Sequence, residues 1–259
     1  MPRYALSLAY VGAAFGGWDD GREAVCGQPS SALATLRAGL RRLGENGPVE
    51  GACRLDAGVH AAGQCAHVEC ARNWDPQALA SALDHQLPPA MACRAAAAVA
   101  DDWHAAVSAT AKTYRYRLDR SQPRDPRLAA ISWRVPGALD RGRLHQAARL
   151  LRGGGDLSGF LRRSDHRDRI ATVLHALRWS CRGQLWTCTI TGDRFAYRLV
   201  RSLVAAMVRC AGDHGDPSAL AAVLRGTDHP ISGHCAPAWG LELAQVHYPQ
   251  EPHWQLAEA

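Results

Sequence analysis

Ala52-Cys53-Arg54-Leu55-Asp56-Ala57-Gly58-Val59-His60, running on through Ala61-Ala62-Gly63-Gln64-Cys65-Ala66-His67-Val68-Glu69-Cys70, is the stretch on which the reading of this chain turns. From Gly63 to Cys70 the residues alternate, with Ala66, Val68 and Cys70 on one side, which is the period of a strand. Just before it, Arg54 and Asp56 stand two apart with Gly58 close behind. That spacing puts a carboxylate on a tight loop, partly balanced by a guanidinium. Such a carboxylate stays ionised near neutral pH and can serve as nucleophile or general base. Read alone, the pattern fits a surface Arg–Asp pair in a glycine turn better, because exposed ion pairs are common and contribute little.

Working outward, Ala5 to Val11 alternates and predicts a strand. Ser31 to Leu43 places Leu33, Leu36, Leu40 and Leu43 on one helical face. Asp75-Pro76 opens a helix that the pattern carries to Leu87, an N-cap followed by proline in the first turn. Lys112 to Asp119 has period two, with Tyr114, Tyr116 and Leu118 on one face and Thr113, Arg115 and Arg117 on the other. Pro123-Arg124-Asp125-Pro126 breaks the pattern and predicts a boundary between halves 1–122 and 123–259. In the second half, Leu139 to Leu151, Phe195 to Ala211 and Asp216 to Leu224 read as helices. Val173 to Ser180 and Leu185 to Thr191 read as a strand pair joined at Arg182-Gly183, and Leu241 to Tyr248 as a closing strand. Strands grouped with helices, without strict strand–helix alternation, argue an α+β fold with a mostly antiparallel sheet.

Composition bounds the function. A chain of 259 residues with 47% hydrophobic and 21% charged residues is globular rather than disordered. No apolar run approaches the ~20 residues of a membrane span, and Met1-Pro2-Arg3-Tyr4 opens no signal-peptide pattern. The expectation is a cytoplasmic protein without a membrane partner. The net charge is +6 and the pI about 9.0, a balance that favours polyanions such as nucleic acid. Nearly all the cations are arginine; Lys112 is the single lysine. The nine cysteines include no CxxC pair, and His166, His175 and the other histidines are scattered, so neither a metal site nor a disulfide framework is expected.

Arg54-x-Asp56-Ala57-Gly58-Val59-His60-Ala61-x-Gly63-Gln64 resembles the catalytic motif of the TruA-type tRNA pseudouridine synthases. Further matches follow in family order. They are Tyr10-x-Gly12 through Gly17-Trp18 with Gln28 beyond, Lys112-Thr113-Tyr114-Arg115-Tyr116, Phe195 with Val200-Arg201, and Ala236-Pro237-Ala238-x-Gly240-Leu241. Any one motif would be weak; together, in order from about residue 4 to 248, they are strong.

The resemblance implies a cofactor-free isomerisation in which uracil leaves C1′ of ribose, turns and rejoins through C5. It implies that Asp56 is the essential carboxylate and that Tyr114 stacks on the target base and takes part in removing the C5 proton. Arg201 would hold Asp56 ionised, and Arg54 would help displace the target base, a step that costs unstacking energy. Leu55, His60, Lys112 and Phe195 are the further substrate-binding candidates. The implied fold is two ferredoxin-like halves sharing one extended, mostly antiparallel sheet, with helices on one face and the active-site cleft between the halves. The implied partner is tRNA, bound by a homodimer. The arginine clusters Arg41-Arg42, Arg141-x-Arg143, Arg162-Arg163 and Arg167-x-Arg169 are candidate phosphate contacts, though each taken singly fits a solvated helix or loop face better.

This chain also departs from the family pattern. Leu55 stands where the family has Thr, Val11 where it has Asp, and Ala106 where it has Arg. Losing several RNA-holding groups points to an alternative: a paralogue using the same chemistry on a free uridine nucleotide (UMP) or another RNA, giving a C-nucleoside. A non-catalytic RNA-binding protein is the third reading; retention of Asp56, Arg54 and Tyr114 argues against it.

Overall fold

Side-chain caps set where the first three α-helices begin. In the computed structural model, which describes residues 1–19, 30–161, 171–227 and 229–258, α1 spans Ala32–Arg42 after strand β1 (Arg3–Tyr10). Ser31 Oγ accepts the Ala34 N–H at 3.1 Å, filling one of the orphan donors of the first turn. Leu33, Leu36 and Leu40 face the core as the periodicity predicts, and Arg41 and Arg42 complement the C-terminal dipole. Strands β2 (Val49–Gly51) and β3 (His60–Glu69) follow, then α2 (Pro76–Asp84). Asp75 caps α2 by accepting the Ala78 N–H at 3.0 Å. The helix stops short of Leu87 because Pro88 disfavours helical geometry at the residue before it; Gln86 and Leu87 instead close turns onto Leu83 O and Asp84 O.

Strand β4 (Met91–Val99) comes next, then β5 (Ala111–Asp119), β6 (Trp133–Arg134) and α3 (Arg141–Leu151). The chain continues through β7 (Gly155–Asp156), β8 (Ala171–Thr172), β9 (Leu174–Arg182) and β10 (Leu185–Gly192). It ends with α4 (Leu199–Ala211), α5 (Ser218–Leu224), β11 (Leu241–His247) and β12 (Gln255–Leu256). Helix α4 begins four residues later than the apolar run from Phe195 predicts, because Arg198 takes a left-handed backbone with φ 59°.

The chain forms two compact units: residues 1–110 with 242–259, and residues 111–241. This division differs from the expected one at 122. The breakers Pro123 to Pro126 mark a loop, while β5, before them, pairs along its whole length with β10, from Asp119↔Leu185 to Lys112↔Gly192. The closing strand in turn pairs with β3, in parallel, Glu242 with His60 and Leu243 with Ala61.

In the first unit the sheet order is β12-β4-β1-β3, with β2 and β11 on the remaining edge of β3. The pairs β4-β1, β1-β3 and β3-β2 are all antiparallel. Tyr4, Leu6 and Leu8 of the central strand β1 are buried. Strand β4 was not legible from its sequence, MACRAAAAV, because alanine has poor strand propensity. Pairing with β1 from Arg3↔Val99 to Tyr10↔Met91 imposes it.

In the second unit β5 is flanked by β6 and β10, and β9 lies beyond β10. Strands β7 and β8 form a separate two-stranded ladder. Leu203, Val204 and Met207 of α4 are fully or almost fully buried, each contributing about 1.5–3 kcal/mol relative to exposure. The indole of Trp179 donates to Met207 Sδ at 3.4 Å, locking α4 onto β9. Among the described residues no helix is long and apolar enough to cross a membrane.

Candidate active site

The Asp56 loop is shaped by its backbone. The Val59 N–H donates to Asp56 O at 3.1 Å, and Gly58 sits at φ +81°, the left-handed angle that the third residue of a type II turn requires. Asp56 itself is half-buried and the next residue, Ala57, is exposed. The turn after β1 forms its wall. The Trp18 N–H donates to Leu55 O at 2.9 Å. A Cβ on Gly12 would stand 2.3 Å from Val59 O, one on Gly17 2.9 Å from Leu55 O, and one on Gly51 2.4 Å from the Trp18 ring. Tyr10 packs edge-on to Phe15 at 5.5 Å and parallel to Trp18 at 6.4 Å.

Behind the loop, the fully buried Gln64 donates from Nε2 to Cys53 O at 2.8 Å and accepts the Cys65 N–H at 3.2 Å. It ties the chain entering the loop to the strand leaving it. In the sequence Gln64, Trp18, Gly12 and Gly17 are motif positions only, and nothing local marks the backbone that the two glycines approach.

The other candidates of this unit occupy distinct environments. Arg54 is exposed and donates to Asp19 O at 2.6 Å. Leu55 is buried, 8% exposed, so its side chain belongs to the packing beneath the loop. His60 is also buried, and its Nδ1 accepts the Gly12 N–H at 3.2 Å, fixing the ring to the wall. Gln28 lies outside the described residues.

In the second unit, Tyr114 lies on the buried face of β5 with Tyr116 and Leu118. Its ring meets Phe195 edge-on at 5.2 Å and 85°. Lys112 is half-buried and pairs with Gly192 across the sheet. Arg201, in the first turn of α4, is bound to residue 236 twice: its Nε donates to Ala236 O at 2.7 Å and its carbonyl accepts the Ala236 N–H at 3.2 Å. One residue on, Pro237 O accepts the Tyr116 hydroxyl at 2.9 Å. Gly240 closes the clamp, since a Cβ there would lie 2.6 Å from the Tyr116 ring. Burial pushes the Tyr116 phenol up, while the nearby Arg201 cation opposes that shift.

The arginine clusters divide. Arg141 lies over the Trp186 ring at 5.1 Å and Arg143 donates to Gly212 O at 3.0 Å, so both have structural partners. Arg42 donates to Gln86 O at 2.9 Å. Arg162-Arg163 and Arg167-x-Arg169 lie outside the described residues.

Among the described residues, Glu50, His67 and His104 have ligand-type atoms within 4.8 Å of one another. His67 Nδ1 accepts the Ala105 N–H at 3.3 Å, and His104 Nδ1 accepts the N–H groups of Ala106 and Val107 at 3.1 and 3.2 Å. These bonds leave the proton on each Nε2, and His104 Nε2 faces Glu50 Oε2 at 3.2 Å. A metal-bound imidazole instead donates from its second nitrogen, so the cluster suits a hydrogen-bonded charge group better than a metal. Burial, then His104 and Arg3, pulls the His67 imidazole below its ordinary range. The eight described cysteines are free thiols, and burial pushes Cys65, Cys70, Cys93 and Cys210 up to about 12.

A family profile described as tRNA pseudouridine synthase matches residues 147–249. Full-length relatives reach further. A "tRNA pseudouridine synthase A" of Dinoroseobacter shibae is 36% identical over 259 residues, covering 97% of this chain and 98% of the relative. Proteins of the same name from Azorhizobium caulinodans and Xanthobacter autotrophicus are 35% and 34% identical, covering 97% and 96% of this chain and 96% and 100% of theirs. Identity at this level, sustained from end to end and spanning the Asp56 loop as well as the Arg201 clamp, means that the chain belongs to the tRNA pseudouridine synthase A family.

Proposed function

We propose that this chain isomerises uridine to pseudouridine in tRNA. The C1′–N1 glycosidic bond breaks, uracil turns, a C1′–C5 bond forms, and the C5 proton leaves while N1 regains one. Asp56 is the essential carboxylate, either attacking C1′ or removing the 2′ proton to give a glycal. Tyr114, with Phe195 against its edge, presents an aromatic ring to the uracil and a hydroxyl for the C5 proton. Arg201 supplies the positive neighbour that keeps a carboxylate charged away from water. Exposed Arg54 fits the task of displacing the base from its stack, Lys112 that of meeting phosphate, and Leu55 and His60 that of holding the loop.

The observation that carries this reading is the Asp56 turn. Glycines on the facing segment, a Trp18–Leu55 hydrogen bond and buried Gln64 all converge on one half-buried carboxylate. A surface ion pair needs no such support.

The same proposal covers the finer architecture and setting. The first unit runs β1-α1-β2-β3-α2-β4 with sheet order β4-β1-β3-β2, which supports a ferredoxin-like half. A cytoplasmic homodimer is the working assembly, checked by light scattering of the purified protein. The loss of a cation at Ala106, with the polar groups lost at Val11 and Leu55, favours free UMP as the second reading.

The deciding experiment offers purified protein an unmodified tRNA transcript or UMP, with pseudouridine measured by mass spectrometry after digestion. Product from the transcript is the expected result. Product from UMP alone establishes the nucleotide reading, and product from neither, with the protein folded, overturns both.

A further inference from the structure

Eight tryptophans are present, and one of them, Trp239, stands exposed at 47%. It occupies a short 3-10 turn, Ala238–Gly240. The backbone on either side is anchored: Ala236 exchanges two hydrogen bonds with Arg201, Pro237 O accepts the Tyr116 hydroxyl, and Gly240 rests on the Tyr116 ring. The turn therefore presents its indole to solvent from a rigid base. Among the described residues the other exposed Trp or Tyr is Tyr197, 49% exposed and two residues before α4 begins at Leu199; the Arg198 guanidinium covers its ring at 4.6 Å. Both exposed aromatics thus sit on the segments that hold Arg201.

Leaving an indole in water forfeits the burial energy that the other tryptophans collect. An aromatic face on a fixed backbone, in a basic protein, is what single-stranded nucleic acid uses for base stacking. Fixing the backbone beforehand also lowers the entropy lost on binding. We propose that Trp239 is a stacking platform for an unpaired RNA base adjoining the target uridine. The inference rests on the tRNA reading above. The net charge of +6 and the Arg201 guanidinium, bound to Ala236 O three residues before Trp239, favour RNA over a protein partner.

The test compares wild type, Trp239→Ala and Trp239→Phe on an unmodified tRNA transcript, by steady-state kinetics and direct binding, with light scattering and thermal unfolding on the same samples. Stacking on one base predicts that Trp239→Ala raises KM and Kd roughly tenfold, with the loss in KM rather than kcat, while Trp239→Phe stays within about threefold of wild type because a ring remains. Wild type inactive on tRNA would defeat the functional reading itself. With wild type active, the platform alone is overturned by an unchanged KM and Kd in Trp239→Ala. It is equally overturned by a changed oligomeric state, by unfolding of Trp239→Ala, or by Trp239→Phe failing as badly as alanine.

Discussion

The two places to which the proposal assigns the chemistry are built differently. Asp56 is positioned by backbone: a turn with Gly58 at positive φ, a neighbouring segment whose Gly12 and Gly17 touch its carbonyls, and a main-chain bond from Trp18. Arg201 adds side-chain bonds to a main-chain one: the Ala236 N–H meets its carbonyl, its own Nε donates to Ala236 O, and the Tyr116 hydroxyl donates to Pro237 O. The difference follows from the groups. A short carboxylate has little reach, so its aim is set by the main chain beneath it. A long guanidinium has several rotors, so its aim is set by hydrogen bonds along its length. Errors should therefore be abrupt at the first place and graded at the second.

The largest effect tests the first place directly. Asp56→Asn should reduce turnover by at least about 10³-fold, as loss of an essential nucleophile or base does, while the Tm stays within a few degrees because the turn is held by main chain. Rapid-quench measurement of pseudouridine checks it; substantial residual activity would remove Asp56 from its role.

Next comes Gly12→Ala. Its Cβ would lie 2.3 Å from Val59 O, and a backbone carbonyl cannot step aside as a flexible side chain can. We expect about 1–3 kcal/mol of lost stability in urea unfolding, in the range of overpacked sites, with activity falling in step. A stability change under 0.5 kcal/mol would show that the wall yields, and would break the contrast between the two places.

Tyr116→Phe probes the second place. Removing the hydroxyl deletes the bond to Pro237 O, for about 1 kcal/mol. It loosens the segment that carries Ala236, so kcat should fall several-fold and stay measurable. A loss as complete as that of Asp56→Asn would mean that the second place is as brittle as the first.

The smallest effect lies further along β3, the strand that begins just after the Asp56 turn. The His67 imidazole is depressed by burial, His104 and Arg3, with Glu50 and Glu69 opposing. A base with a lowered folded pKa takes up its proton later than the unfolded chain does. Below about 6.5, the ordinary histidine value, the unfolded state binds more protons, so stability declines as pH falls. Above that value the contribution is fully present. Thermal unfolding from pH 7.5 to 5.5 should show Tm falling on the acid side, with a shallower fall in His67→Gln. Identical slopes would assign the acid loss to other groups.

Much of this was legible in the chain because the signals are local. Ser31 and Asp75 each cap a helix through a donor three residues on, and the alternation from Lys112 to Asp119 does bury Tyr114, Tyr116 and Leu118. Other features were illegible because their causes lie far along the chain. Alanine-rich β4 is a strand only because β1 pairs with it, and the late start of α4 reflects the left-handed Arg198. Leu55 and His60 read as substrate contacts by their place in the motif, yet both side chains are buried, His60 against Gly12.

Residue type and pattern carry the chemistry on offer: a carboxylate in an Arg-x-Asp-Ala-Gly turn, a tyrosine strand, an arginine in an apolar helix and a basic balance. Those depend on residue type and short spacing, which the chain carries openly. What holds each group in place appears only in the folded chain. Gly12 meets Val59, Gln64 bridges Cys53 and Cys65, and the turn bearing Trp239 is fixed by Arg201 and Tyr116. Most of these are contacts between residues tens of positions apart or more, and they exist only once hydrophobic burial has brought the strands and helices together.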